Sequence, residues 1–252
     1  MSWFFIRSAC CLLLTVTACG GDTPGELVTI EVAVKSAAAE ADALDSFETD
    51  TGYAVTLDEA SVRIGPILAF SPEALARAEE PILDALSFVS TAHAHGGIDL
   101  VSGRVVRAEW LEPVTIDALE GEARVLGEIE AEAGIVDAIT LELSRASDDG
   151  AQVRVRGEAQ QGEQALTFEG ALTLDDEPVS GRRIELVHEY IELTEGGRLT
   201  IIVHPDRLLR GADLSRAPLQ DGASILTDDS QPGRALAIAA RSPAAFSVEW
   251  RP

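Results

Sequence analysis

Soft metal ligands are almost missing from this chain. Its single methionine is Met1, and its three cysteines are Cys10, Cys11 and Cys19, so no thiol or thioether occurs beyond position 19. That excludes a cysteine nucleophile, a disulfide, an iron–sulfur cluster and the thiolate or thioether sites that select Zn²⁺ or Cu(I) in the body of the protein. Any transition metal there has to be held by imidazole and carboxylate. Cations are also scarce. Lys35 is the only lysine, and 43 acidic residues face 19 basic ones, for a formal charge of −24. Such a field repels phosphate backbones and anionic lipid, which excludes nucleic acid as a partner and electrostatic docking as a route to a membrane. Aromatics make up 5% of the residues, too few to offer many sugar-stacking platforms. Neither a Gly-x-Ser-x-Gly elbow, a His-Glu-x-x-His helix, a phosphate loop nor a dinucleotide fingerprint is present, so no enzymatic activity is expected.

The N-terminus carries the most specific signal. Arg7 supplies a positive start, an apolar run extends from Ala9 to Val16, and Val16-Thr17-Ala18-Cys19-Gly20 closes it with small residues and a cysteine. The run is far shorter than the roughly 20 residues of a spanning helix and fits the apolar region of a secretory signal. A small-residue cleavage site ending in cysteine resembles the lipobox of bacterial lipoproteins. The resemblance implies that Cys19 is acylated and becomes the first mature residue. It gives a signal peptide at 1–18, a lipidated flexible tether at 19–26 and a folded domain at 27–252. The expected partner is then a membrane, reached through the lipid anchor, and the expected location is the cell envelope. Gly20 stands where an aspartate often retains such proteins in the inner membrane, which favours the outer membrane in a Gram-negative source.

The remainder reads as mainly β. Leu27 to Val34 is rich in β-branched residues and gives a first strand. Ser36 to Phe47 reads as a short helix. Tyr53, Val55 and Leu57 share one face of a strand, and a second run from Ala60 to Phe70 breaks at Gly65-Pro66, an edge or bulge signal. Ser71-Pro72-Glu73 has the form of a helix start, with a helix kinked at Pro81 and ending near Val89. From Gly97 onward, short β-like runs alternate with turn residues. They cover Ile98 to Ala108, Val114 to Ile116, Ala123 to Glu132, Ala138 to Leu143, Gln152 to Ala159, Leu166 to Leu174, Ile184 to Leu193 and Leu199 to Val203. Pro205 to Leu209 reads as one helical turn, and Ala235 to Ala239 and Ala245 to Trp250 as closing strands. The spacing predicts a single β-sandwich with a short helical insertion near residues 71–95, or alternatively two packed β subdomains.

Four histidines are the candidate ligands. In extended chain, His93 and His95 leave the same face and suit one Zn²⁺, Cu²⁺ or Ni²⁺ ion, with Asp99 nearby. His188 reads as a half-buried, hydrogen-bonded histidine on the face of Ile184, Leu186 and Tyr190. His204, at a strand end, reads as solvent-facing. Either could complete a site with the pair. The acidic clusters Asp148-Asp149, Asp175-Asp176-Glu177 and Asp228-Asp229 lack the ligand spacing of a calcium loop and read as solvated turns.

Thr51-Gly52-Tyr53-Ala54-Val55-Thr56-Leu57 and the terminal Ala245-Phe246-Ser247-Val248 resemble segments of periplasmic copper-associated β-sandwich lipoproteins of the methanobactin-partner type. The resemblance implies a β-sandwich. Three functions stand: a non-enzymatic envelope lipoprotein that binds a protein partner or stabilises a surface assembly, a lipoprotein that binds or delivers Zn or Cu through His93 and His95, and, third in order, a hydrolase whose site carries no recognisable motif.

Overall fold

The structure is a computed structural model that describes residues 25–37, 46–74, 98–99, 104–144, 151–174 and 178–252. In chain order the first strands are β1 (Leu27–Ser36), β2 (Ser46–Glu48), β3 (Ala54–Ala74), β4 (Ile98–Asp99), β5 (Arg104–Trp110) and β6 (Val114–Asp117). Next come β7 (Arg124–Glu132), β8 (Gly134–Leu143), β9 (Val153–Gln161) and β10 (Gln164–Leu172). A helical turn, α1 (Val179–Arg182), leads into β11 (Arg183–Leu193) and β12 (Arg198–Val203), followed by α2 (Pro205–Leu209). The chain closes with β13 (Leu219–Gln220), β14 (Ala223–Leu226), α3 (Gln231–Ala240) and β15 (Phe246–Arg251).

These strands form two sheets. The smaller has the order β15-β12-β1-β7, with β1 and β12 parallel and the other pairs antiparallel. The larger runs β11-β8-β3-β9-β10-β14-β13, with β2, β5 and β6 also paired to β3 and β4 paired to β5. Alternation puts Ile30, Val32, Val34, Leu199 and Ile201 of the small sheet into one continuous core with Val62, Ile64, Leu141, Leu143 and Phe168 of the large one. The mainly β sandwich is therefore the observed architecture. Each fully buried Leu, Ile or Val contributes about 1.5–3 kcal/mol, and no disulfide supplements them.

The length of β3 needs explanation, because a 21-residue strand would not stay flat against a core. Its buried positions change parity, from Val55 and Leu57 to Ala60, Val62 and Ile64, and then to Ile67 and Ala69. Each change coincides with a slip in pairing, at Leu57/Glu59 against β9 and at Ile64/Ile67 against β8. One extra residue flips every later side chain to the other face, so these bulges let a single strand bend and keep its apolar side inward. The break expected at Gly65-Pro66 is one of them.

Three local expectations are corrected. Ser71-Pro72-Glu73 lies inside β3, not at a helix start. Ser71 is fully buried and its carbonyl accepts from Arg104 Nε at 3.1 Å, while Pro72 occupies the pairing irregularity between Phe70 and Ala74, where a missing N–H costs no ladder bond. The rest of the expected insertion, up to residue 95, lies outside the described residues. The helix over 36–47 is overturned at both ends, since Ser36 completes β1 and Ser46 to Glu48 pair with Thr56 to Ala54; residues 38–45 between them are outside the described set. Finally, Ala235–Ala239 belongs to α3 and is not a strand. Pro232, Gly233, Leu236 and Ala240 are its buried positions, at helical spacing.

Candidate functional site

The histidine pair His93 and His95, like Cys19 and the tether residues before Gly25, lies outside the described residues. Asp99 ends β4 opposite Arg104. His188 and His204 are both placed, and both reach β15. His188 is half-buried, as expected, with Nδ1 2.9 Å from Glu189 O and Nε2 2.9 Å from Val248 O. Tyr190 departs from the expected inward face. It is 75% exposed because β11 slips register between Val187 and Ile191, which returns Ile191 and Leu193 to the core. His204 also departs from expectation: it is half-buried, with Nε2 2.8 Å from Ser247 Oγ. The two rings thus meet adjacent residues of one strand, and their bonded nitrogens face protein oxygens. Among the described residues, no group of three or more His, Cys, Asp and Glu side chains is placed to hold a metal ion.

Beside them on β15, Glu249 is gripped on both oxygens, by Lys35 Nζ at 2.8 Å and Arg251 Nε at 2.6 Å. The hydrogen bond from Lys35, then that from Arg251, holds its carboxyl below the usual 4.5. A folded-state value below the unfolded one stabilises above the unfolded value and is lost as pH falls through the folded one. The parent should therefore lose stability on acidification below about 4.5, and Glu249→Gln should lose less over the same interval. Urea midpoints at neutral and acid pH check this, and parallel acid slopes for the two proteins would contradict it.

A second feature was not singled out by sequence. An open cleft of about 610 Å³ lies between α2, α3 and the short helical turn Pro243–Ala245. Three arginines line it, Arg207, Arg210 and Arg234, together with the carboxylate of Asp50. Its construction starts at the turn between β2 and β3. Asp50 N donates to Arg210 O at 2.8 Å and Thr51 Oγ1 to Ala212 O at 2.7 Å, tying that turn to the end of α2. The Gln231 side chain then fixes the start of α3, donating to Gly211 O at 3.1 Å and accepting from Asp213 N at 2.8 Å. Ser230 caps α3, accepting from Gly233 N at 3.1 Å. Gly233 packs so close to Thr227 that an added Cβ would overlap its carbonyl.

With the buried side of α3 set, the opposite stripe of Gln231, Arg234, Ala235, Ile238 and Ala239 has to face the cleft. Ile238 remains 67% exposed there. The guanidiniums are positioned by neutral acceptors at two of three places. Arg207 Nη1 donates to Ala244 O at 2.6 Å and Arg234 Nη1 to Asp229 O, while Arg210 Nε meets Asp50 Oδ1 at 3.1 Å. The usable sequence signals were a proline-started turn with arginines three apart, and Ser230 with Pro232 as a helix start; the second was masked by the β-like look of an Ala- and Ile-bearing run.

No protein family matches the chain, and no curated protein matches it. Among solved structures, the chain is similar to MbnP from Methylosinus trichosporium, at 10% identity and a TM-score of 0.42, over 91% of this chain and 100% of that one.

Proposed function

We propose that the chain is an envelope lipoprotein, acylated at Cys19, whose β-sandwich is a non-enzymatic binding module carrying its binding face at the end remote from the membrane. The observation that supports this reading is the order of its parts. A positive start, an apolar run and a small-residue site lead to Cys19. The described fold opens at Gly25, whose N–H donates to Glu132 Oε1 at 2.9 Å, and β1 follows directly. The intervening residues reach at most about 20 Å when extended. β1 then runs ten residues, about 33 Å, to Ser36, which pairs with Val203 just before α2. The cleft between α2 and α3 thus lies about one strand length from the tether. An acyl anchor of more than one chain suffices for stable attachment, and the acidic body would be repelled by anionic headgroups without it. Gly20 favours the outer membrane in a Gram-negative source.

Intact mass spectrometry of the membrane-extracted protein tests the anchor. The expected N-terminus is acylated Cys19, and Cys19→Ser should move the protein into the soluble fraction. A processed terminus elsewhere, or a bare thiol, sinks the proposal. A second reading has the motif His93-x-His95 binding Zn²⁺ or Cu²⁺, supported by the same-face spacing of the two imidazoles. Calorimetric titration with each ion should give heat that disappears in His93→Ala plus His95→Ala. Heat that persists there removes this reading.

A further inference from the structure

We infer that the cleft between α2 and α3 binds a small amphipathic organic anion, its oxyanion headgroup held by Arg207, Arg210 and Arg234 and its apolar body laid along Ala235, Ile238 and Ala239. The inference rests on the cleft being the module's binding face, as proposed above, and adds the chemistry of what it takes. Charge is the first argument. A chain with formal charge −24 places three of its 19 basic residues in one cleft whose lining, among the described residues, includes a single carboxylate, Asp50. Asp206, Asp213, Asp228 and Asp229 are near in sequence, yet none lines the cleft; Asp213 is engaged with Arg216 at 2.9 Å. The cleft is thus a local cationic site in an acidic surround, which selects for anions and against cations.

Hydrogen bonding is the second argument. Arg207 and Arg234 are oriented by carbonyls, which fix a guanidinium without neutralising it, and each guanidinium has five N–H donors in a planar fork. That fork matches a carboxylate or phosphate headgroup in bidentate fashion. Arg210 and Asp50 are 66% and 63% exposed, so their ion pair is weak and exchangeable for a ligand oxyanion.

The third argument is apolar. Inorganic anions have no use for an exposed isoleucine, whereas Ile238 with Ala235 and Ala239 forms a continuous strip beside the arginines. The volume, about 610 Å³, lies within the range of small-molecule sites.

The lipid-anchored protein in phosphatidylcholine nanodiscs, or in solution if it is not retained there, is titrated calorimetrically. The probes are hexyl phosphate, hexanoate, inorganic phosphate and hexyltrimethylammonium, with empty nanodiscs as blank. Saturable binding is expected for hexyl phosphate or hexanoate, and their ratio identifies the headgroup. Inorganic phosphate should bind at least tenfold more weakly and the ammonium not at all. Arg207→Gln plus Arg234→Gln should weaken the hexyl anion at least tenfold, and Ile238→Ser several-fold, with unchanged melting temperatures. No saturable heat with either hexyl anion overturns the inference, as does binding indifferent to the arginine pair. Equal affinity for phosphate and hexyl phosphate with Ile238→Ser silent overturns the amphipathic assignment while leaving the cleft as the binding face. Retention in the nanodisc reports the anchor and titration reports the cleft, so the two readings fail separately.

Discussion

Gly157→Ala is expected to cost about 3 kcal/mol or more, a large share of the stability of an ordinary domain. Gly157 sits in β9 opposite Leu57 of β3, where β3 carries its first bulge. A Cβ at this position would stand 3.0 Å from Leu57 Cα and well inside contact distance of the Thr56 carbonyl. Both obstacles are backbone in the middle of a sheet, so neither can swing aside as a side chain would. Relief requires β9 to move away from β3 or the bulge to be rebuilt. Either change disturbs the ladder from Ala54 to Leu57 and loosens Val55 and Ala159, which are buried beside it. Gly170→Ala offers a contrast. Its nearest neighbours are Leu226 Cβ and Cδ2 and Val155 Cγ2 at 3.0–3.2 Å, contacts too close by only a few tenths of an ångström and none of them to main-chain atoms, so a cost of about 1–2 kcal/mol is expected. Urea denaturation of the two variants measures the difference. A Gly157→Ala unfolding free energy within about 1 kcal/mol of the parent's would show that β3 and β9 part more freely than their pairing implies.

The same bulges explain which parts of the fold could be read from residues alone. Alternation is a local signal, and where a strand is regular it was legible. Tyr53, Val55 and Leu57 face inward together, as do Phe168, Leu172 and Leu174, and Val153 and Val155 lie buried between the arginines at 154 and 156. Pro205–Leu209 forms its helical turn because the proline suits a first helical position. Legibility failed where a register slip intervenes. Extrapolating Ile184 and Leu186 inward to Tyr190 assumes an unbroken strand, and the slip after Val187 reverses the face. It failed again where composition was ambiguous. Ser-Pro-Glu opens helices in general, yet here the segment lies between Phe70 and Ala74, which pair with Val106 and Arg104 of β5, and the Ser71 carbonyl accepts from Arg104 Nε, contacts distant in sequence. Ala-rich segments such as 235–239 carry no period of their own, and only Ser230 with Pro232 marked the helix.

The candidate cleft was hidden for a related reason. Arg207 and Arg210 belong to one helical segment and Arg234 to another, and what brings them together is the docking of Thr51 and Gln231 on the loop from Gly211 to Asp213. Nothing about the spacing of three arginines in a chain reports a hydrogen bond made by a glutamine. The histidines, by contrast, drew attention as individual residues, and the two that are placed have structural duties. His188 joins the edge of the large sheet to β15, and His204 joins the start of α2 to Ser247.

Glu142→Ala should be comparably damaging, by about 3–5 kcal/mol, for an electrostatic reason. Its carboxylate lies 3.0 Å from Arg182 Nη2, and the side chains of Arg182 and Glu142 are 4% and 16% exposed. Among the described residues Arg182 has one further acceptor, Leu143 O at 3.4 Å from Nη1, and its Nε is buried without a hydrogen-bond partner. Deleting the carboxylate therefore leaves a guanidinium withdrawn from water with a single long hydrogen bond. The pair itself need not be a net source of stability, since bringing two charges out of water opposes their attraction. Arg182→Met combined with Glu142→Met, which removes both charges and keeps volume, should recover most of the loss. A four-protein denaturation cycle separates the two effects. If Glu142→Ala alone costs less than about 1 kcal/mol, the pair behaves as a solvated surface bridge and burial of Arg182 does not decide its energetics. A large single loss rescued by the double change instead means that the sheet from β8 to β11 tolerates an apolar pair at this position, and that the cost arises from stranding one charge.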